Sequence, residues 1–142
     1  MKVAGDTFCE FRGRSFYING QVVCSCLVLF IRLLRCGWIS LTIGEGVIEW
    51  SSLEEDPDLL GLEDVDDEFA YPVVSLYQLR SYLGREVLGV FEYRLEKANN
   101  ICVGVYFKCK GGGFSVVEED GCLCFFDGVV AKGFEGLVLV DS

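Results

Sequence analysis

The sequence contains no histidine, only two prolines and a single methionine. Without histidine, the Ser-His-Asp and Cys-His catalytic arrangements are excluded, and so are most zinc hydrolase sites. The chain also lacks the G-x-x-x-x-G-K-[ST] phosphate loop. Its stretch KGGG, 110–113, joins two predicted strands and is not followed by a helix. From these absences we assign no catalytic residue, and we expect no cofactor and no bound metal.

Long apolar segments are also missing. The first 20 residues contain no continuous apolar stretch of the kind found in secretory signals. The longest apolar run, 22–34, is shorter than the roughly 20 residues that cross a bilayer, and Arg32 lies inside it. These features predict a cytoplasmic protein without a membrane partner.

Basic residues are scarce and scattered. There are 12 Lys and Arg against 22 Asp and Glu, which gives a formal net charge of −10. The only small basic clusters are Arg12 with Arg14 and Lys108 with Lys110. Because nucleic-acid binding needs a basic face, we do not expect a nucleic-acid partner.

What the chain does have is apolar and aromatic residues with many glycines. Hydrophobic residues make up 51% of the 142 positions, and there are 11 Phe, 6 Tyr and 17 Gly. A chain of this length and composition predicts one domain over residues 1–142 that can bury a sizeable core. Many glycines and few prolines indicate strands joined by tight turns. The predicted fold class is α+β, mostly antiparallel β-sheet, barrel-like or strongly curved, with one or two short helices.

Local patterns place the elements. Asn19-Gly20 between apolar runs predicts a β-hairpin, and the turn GEG within 38–50 predicts a second one. The run 22–34 is too evenly apolar to show a period, and we favour a strand over a short helix. A helix is predicted over 75–83, with Ser75 as its N-cap and Gly84 as its terminator.

The second half of the chain predicts four further strands, within 86–96, 100–109, 113–120 and 122–126, and the tail 129–142 adds one or two short ones. The stretches 37–50 and 113–126 also share a pattern of Gly-aromatic, Ser, acidic Gly turn and apolar strand. Two hairpins built by the same rules explain this similarity without duplication. The predicted core residues are Leu76, Leu79, Leu88, Val90, Val103, Val105, Phe107, Phe114, Val116 and Leu123.

The eight cysteines are predicted to be reduced thiols that act as small apolar side chains, since no secretory signal is seen. Two pairs have C-x-C spacing, Cys24/Cys26 and Cys122/Cys124. On strands each pair points two sulfurs to one face, so a four-thiolate zinc site is an alternative. The spacing differs from the usual C-x2–4-C of structural zinc sites, and we favour the core interpretation.

Charge is concentrated in one acidic segment, residues 53–69, which has no Lys or Arg. Without its nine carboxylates, 13 acidic residues remain against 12 basic ones. We take these nine as candidate partner-binding residues: Glu54, Glu55, Asp56, Asp58, Glu63, Asp64, Asp66, Asp67 and Glu68.

Three interpretations of the acidic segment remain open. It is a solvated loop that keeps the protein soluble, a docking surface for a basic protein, or a metal or catalytic site. Leucines, Val65 and Phe69 interleave with the acids, and apolar anchors inside an acidic field are typical of an interface. A calcium site is the metal alternative, because positions 1, 3, 6, 9 and 12 of an EF-hand loop match Asp56, Asp58, Gly61, Asp64 and Asp67. Position 5 is Leu60, however, and position 12 is Asp instead of Glu.

A family resemblance adds to this pattern. Residues 79–126 contain a short helix ending in Gly, then VFEYR, VGVYF, a Gly turn and GFSVVEEDGCL. In these elements the chain resembles immunity proteins of bacterial contact-dependent growth inhibition and other polymorphic toxin systems. The resemblance implies a cytosolic protein that is not an enzyme and that neutralises a cognate toxin domain by covering its active site or substrate surface. Such toxins are often nucleases with basic clefts, which an acidic segment would fit. The alternative is a small-ligand-binding β-rich domain or an enzyme of unknown chemistry.

Overall fold

The computed structural model describes residues 2–130 and 136–142, and within them the chain forms two antiparallel β-sheets. The first sheet has the strand order β4-β3-β2-β1-β5, with β6 also paired to β1, and the second has the order β10-β9-β8-β7-β11. The strands are β1 (Phe8–Ile18), β2 (Gln21–Leu33), β3 (Gly37–Gly44), β4 (Val47–Ser52), β5 (Phe69–Ala70), β6 (Val73–Ser75), β7 (Val87–Leu95), β8 (Ile101–Cys109), β9 (Phe114–Glu119), β10 (Cys122–Asp127) and β11 (Leu137–Asp141).

The predicted β-rich character is confirmed, and the two sheets follow the same plan. Each sheet is a four-stranded meander in chain order with later strands paired to its first strand: β5 and β6 beside β1 in the first sheet, and β11 beside β7 in the second. The similar stretches 37–50 and 113–126 form the third and fourth strands of their sheets. The two sheets remain separate, so the barrel-like part of the fold prediction is not supported.

The hairpin predictions are confirmed by the turn geometry. Asn19 and Gly20 have φ angles of 48° and 77°, the left-handed pair that a two-residue hairpin turn requires. Glu45 and Gly46 repeat this geometry at 52° and 78°. The evenly apolar run 22–34 lies almost entirely in β2, the longest strand, as we favoured.

A single aromatic cluster joins the two sheets in the core. The rings of Phe8 and Phe107 lie 5.7 Å apart, and those of Phe107 and Phe114 lie 5.0 Å apart. Tyr82 packs on Phe114 with ring centroids 4.7 Å apart. Tilted and edge-on contacts of this kind are the favoured arrangements of aromatic pairs. These rings therefore pack the two sheets against each other.

Most of the predicted core residues are buried, but Leu88 is 50% exposed and that prediction is wrong. Val87 points into the core, so its neighbour in the strand faces solvent. A bulge between Val87 and Gly89 then shifts the phase, and Val90 packs against the core.

The helical predictions need correction. No α-helix occurs in the described part of the chain, and the helical elements there are the short 3₁₀ helices Leu62–Asp64, Tyr77–Tyr82 and Glu96–Ala98. Ser75 lies in β6 and does not cap the helix. Because the backbone pairs with β1 up to Leu76, only six residues remain before Leu83 and the left-handed Gly84, and short helical runs of this kind are commonly 3₁₀. Leu76 and Leu79 are buried as predicted for core residues, whereas Leu83, one turn further on, is exposed.

The cysteine prediction is also partly wrong. Cys24 of β2 and Cys122 of β10 form a disulfide across a separation of 98 residues, with their Cα atoms 5.7 Å apart. The other six cysteines are free, and Cys26, Cys102 and Cys109 are buried as predicted for small apolar side chains. Within residues 2–130 and 136–142, no helix has the length and apolar character needed to cross a membrane.

Candidate docking surface

The acidic segment runs from the β4 edge of the first sheet to its β6 edge. At its start, the amide of Leu53 donates a hydrogen bond to the carbonyl of Trp38 over 2.9 Å. Further along, Leu60 and Val73 exchange two backbone hydrogen bonds of 3.0 Å each. Near the end of the segment, the amide of Asn19 donates a hydrogen bond of 2.8 Å to the carbonyl of Glu68. The backbone of the acidic segment is thus fixed at both ends and in the middle.

A small apolar cluster lies beneath the acidic segment, on the face of the sheet opposite the core. Phe30, Trp38 and Val73 form it, with Leu53 packed against them. The guanidinium of Arg12 lies 4.7 Å from the Trp38 ring centroid and donates a hydrogen bond of 2.7 Å to the carbonyl of Pro57. Arg12 therefore joins the sheet to the acidic segment through both stacking and hydrogen bonding.

All nine candidate carboxylates are exposed to solvent. The ion pairs recorded among residues 2–130 and 136–142 join Arg12 and Arg32 to Glu10, and Arg94 to Glu92, and none uses a carboxylate of the acidic segment. Pro57, which fits the first position of a short helix, lies outside any helix or strand, and the short helix begins only at Leu62. The segment presents its charge on an irregular but anchored backbone.

The geometry gives no support to the calcium interpretation. The segment is flanked by the strands β4 and β5, where an EF-hand requires helices. No group of three or more potential metal ligands occurs in the described portion of the chain, which covers both the acidic segment and the two C-x-C pairs.

An exposed aromatic stack adjoins the acidic segment. The ring of Phe16 lies 6.2 Å from that of Phe69 and 4.9 Å from that of Tyr71, and both pairs are nearly parallel. Phe69 is 51% exposed and Tyr71 is 48% exposed. From the sequence we singled out only Phe69. Phe16 alternates with the buried Ser15 along β1, so the outward phase of β1 was the available signal.

A groove of about 450 Å³ lies on the other side of β6, where the acidic segment turns around the sheet edge. Glu63 lines it together with Tyr17, Ser25 and Gln78. Its lining combines apolar side chains with hydroxyl, amide and carboxylate groups, and the apolar ones are Leu62, Pro72, Val74 and Leu76. Polar groups of this kind accept hydrogen bonds from Lys and Arg side chains.

A second polar site lies where the 3₁₀ helix Tyr77–Tyr82 meets β10. The hydroxyl of Tyr82 donates a hydrogen bond to Asp127, and Arg85 donates two hydrogen bonds of 3.0 and 3.1 Å to the carbonyls of Gly111 and Gly112. Burial, reinforced by Asp127, raises the pKa of Tyr82 to about 12. The Tyr82 phenol therefore stays protonated, and the Arg85 guanidinium is hydrogen-bonded to a turn. Both side chains serve as structural links between elements.

No family model, no curated protein and no solved structure matches the chain. The surface consists of an anchored row of exposed carboxylates, an exposed aromatic stack beside it and a groove of mixed polarity at its turn.

Proposed function

We propose that this protein binds and neutralises a cognate toxin domain, as the immunity proteins that it resembles do, and that the acidic segment is its contact surface. The observation that carries the proposal is the set of nine exposed carboxylates that take part in none of the ion pairs recorded among the described residues. Negative charge displayed in this way is available to a partner.

Anchoring of the segment supports a binding role over a solvating one. A loose charged loop loses conformational entropy when it docks, at roughly 1–2 kcal/mol for each backbone residue that becomes fixed. Here the hydrogen bonds at Leu53, Leu60 and Glu68 already fix the path of the backbone. Preorganisation of this kind lowers the free-energy cost of association.

The charge and the neighbouring rings together indicate the chemistry of the partner's surface. A dense row of carboxylates attracts a basic surface and raises the association rate. A nuclease cleft that binds phosphate is such a surface, and nucleases are the toxin class that the resemblance points to. The stack of Phe16, Phe69 and Tyr71 supplies exposed aromatic rings of the type that dominate binding energy at interfaces. On a partner, arginines would find both a charge and a stacking surface here.

The test compares two variants with equal changes in net charge. The first carries Glu63→Gln, Asp64→Asn, Asp66→Asn and Asp67→Asn within the acidic segment. The matched control carries Glu86→Gln, Glu96→Gln, Asp120→Asn and Asp141→Asn, all at exposed positions outside it. We expect the segment variant to associate with the toxin domain at least about tenfold more slowly at low salt, with a weakened salt dependence, while the control stays close to wild type. Equal rates for the two variants would remove the acidic segment from the interface.

The cytoplasm is the compartment in which we place this encounter, as the resemblance implies. The Cys24–Cys122 disulfide weighs against it, because glutathione and thioredoxin keep most cytosolic thiols reduced. Trapping the thiols by alkylation inside intact cells, before lysis, decides the matter. Full labelling of Cys24 and Cys122 supports the cytoplasm, and absence of label at both places the folded protein in an oxidising compartment.

A further inference from the structure

The chain directions of β1, β2, residues 76–84 and β10 determine which cysteines lie next to the disulfide. The amide of Leu76 donates a hydrogen bond to the carbonyl of Phe11 over 3.0 Å, and that of Gly84 donates one to the carbonyl of Phe8 over 2.8 Å. Residues 76–84 therefore run antiparallel to β1. Since β1 and β2 are also antiparallel, residues 76–84 run in the same direction as β2.

Strand β10 follows this same direction. Leu79 lines one small cavity with Phe125, Phe126 and Asp127. Three residues further on, Tyr82 is hydrogen-bonded to Asp127 and lines the next cavity with Asp127 and Gly128. Later residues of 76–84 thus contact later residues of β10, so β10 runs parallel to residues 76–84. Strand β10 is consequently parallel to β2 where the two strands meet.

Parallel direction and the existing disulfide fix the register of the two C-x-C pairs. Cys24 is joined to Cys122, and one further step of two residues along each strand reaches Cys26 and Cys124. Cys24 and Cys26 are both buried and flank the exposed Ser25, so they share a face of β2 although its pairing with β1 is irregular between Cys24 and Val28. Cys122 and Cys124 likewise share the face of β10 opposite the buried Leu123. The proximity of Cys26 and Cys124 is also visible electrostatically, because burial first and the nearby Cys124 second raise the pKa of Cys26 to about 12.

We propose that Cys26 and Cys124 are an oxidation site and form a second disulfide beside Cys24–Cys122. The result is a double cross-link between β2 and β10, that is, between the two sheets. This inference is independent of the proposed binding function. It concerns cysteines that are free in the structure and that the docking surface does not use.

The chemistry requires a small-molecule disulfide, such as oxidised glutathione, as oxidant. The Cys124 sulfur is the more exposed of the two, and as a thiolate it attacks the small disulfide and releases one small thiolate. The Cys26 thiolate then attacks the Cys124 sulfur of the mixed disulfide and releases the second small thiolate. The two protons lost by the cysteines pass to the two small thiolates. One small disulfide is reduced to two thiols, and one protein disulfide forms.

Peptide mapping of the folded full-length chain tests the proposal. Trypsin leaves Cys24 and Cys26 in residues 15–32 and Cys122 and Cys124 in residues 111–132, so the known disulfide joins these two peptides. After treatment with oxidised glutathione, unfolding and alkylation without reductant, we expect the joined pair to lose both alkyl labels that it carries before oxidation. Retention of both labels would overturn the proposal, and so would transfer of glutathione to Cys124 without closure.

Three variants locate the bond. In Cys124→Ser the remaining Cys26 should keep its label, whereas Cys36→Ser, which removes an exposed thiol outside the pair, should behave as wild type. In the double variant Cys24→Ser/Cys122→Ser the two peptides should still become joined on oxidation, now through Cys26 and Cys124. If that variant does not fold, the label count on the wild-type chain still decides the outcome.

Discussion

Asp6 is the residue that ties the start of the chain to the turn after β2. It is buried, and its carboxylate accepts hydrogen bonds from the amides of Thr7, Arg35 and Cys36 at 2.8, 2.9 and 3.0 Å. Burial acts to raise its pKa, but the three amide donors together outweigh it, and the pKa is lowered from its ordinary value of 3.8. A carboxyl group with a lowered pKa contributes stability above its ordinary pKa, and that contribution is lost as the pH falls through the folded-state pKa.

Replacing this carboxylate should therefore have a pH-dependent cost. We expect Asp6→Asn to lower the free energy of unfolding by about 1–3 kcal/mol at neutral pH, since it removes charge-assisted hydrogen bonds. The difference from wild type should begin to shrink as the pH falls below 3.8, where the carboxyl group of the unfolded chain becomes protonated, and should disappear below the lowered pKa of the folded state. Urea unfolding at about pH 7 and about pH 3 measures both values. An equal difference at the two pH values would contradict the assigned role of Asp6.

Gly104 shows how closely the strands of the second sheet approach each other. A Cβ atom at this position would lie 2.7 Å from the carbonyl oxygen of Val116 in the neighbouring strand. We expect Gly104→Ala to cost about 1–3 kcal/mol of unfolding free energy, because backbone must shift to admit the methyl group. Gly44→Ala is the matched control, since nothing lies within 4 Å of its Cβ position, and it should change stability by less than about 0.5 kcal/mol. Equal unfolding midpoints for the two variants would show that this backbone contact relaxes freely.

At the scale of elements, the disulfide between β2 and β10 makes a strong prediction. It closes a separation of 98 residues, and the chain-entropy model gives about 4.7 kcal/mol for a loop of about 100 residues. Strain and residual structure in the unfolded chain reduce that figure, so we expect reduction to cost about 2–5 kcal/mol. Urea unfolding with and without reductant measures it, with Cys24→Ser/Cys122→Ser as a reductant-insensitive reference. A midpoint that does not move on reduction would mean that the bond adds nothing to the docking of the sheets.

The elements that sequence predicted well are those fixed by local chemistry. Asn19-Gly20 needs no distant partner to form its turn, and the alternation around Val105 indicates a strand by itself. The elements that it missed depend on partners far along the chain. Ser75 is extended because it pairs with β1, and Cys24 is oxidised because β10 passes beside it. Neither partner can be located from spacing alone.

The candidate surface divides in the same way. The density of carboxylates in the acidic segment is a local property and was visible in the sequence. The aromatic stack was not, because Phe16 and Phe69 lie far apart in the chain and meet only through the pairing of β1 with β5. The anchoring of the segment by Arg12 was hidden for the same reason.

At the scale of the whole molecule, the concentrated negative charge lies outside the two sheets and their shared core. Two meander sheets share an aromatic core, and the acidic segment crosses the outside of only one of them. The net charge of −10 is therefore unevenly distributed over the protein, because nine of the carboxylates lie in this one segment. A charge asymmetry of this kind steers a basic partner toward one side of the protein.

Quantitative capture of partners by the tagged protein tests the central claim most directly. Three baits are compared in the native host at low and at high salt: wild type, the segment variant and the matched control. We predict one basic protein, carrying the C-terminal domain of an exported toxin, that is captured by wild type and by the control, is lost from the segment variant, and weakens as salt increases. Capture of that protein equally by all three baits, or its equal loss from both variants, would contradict the claim that the acidic segment is the contact surface.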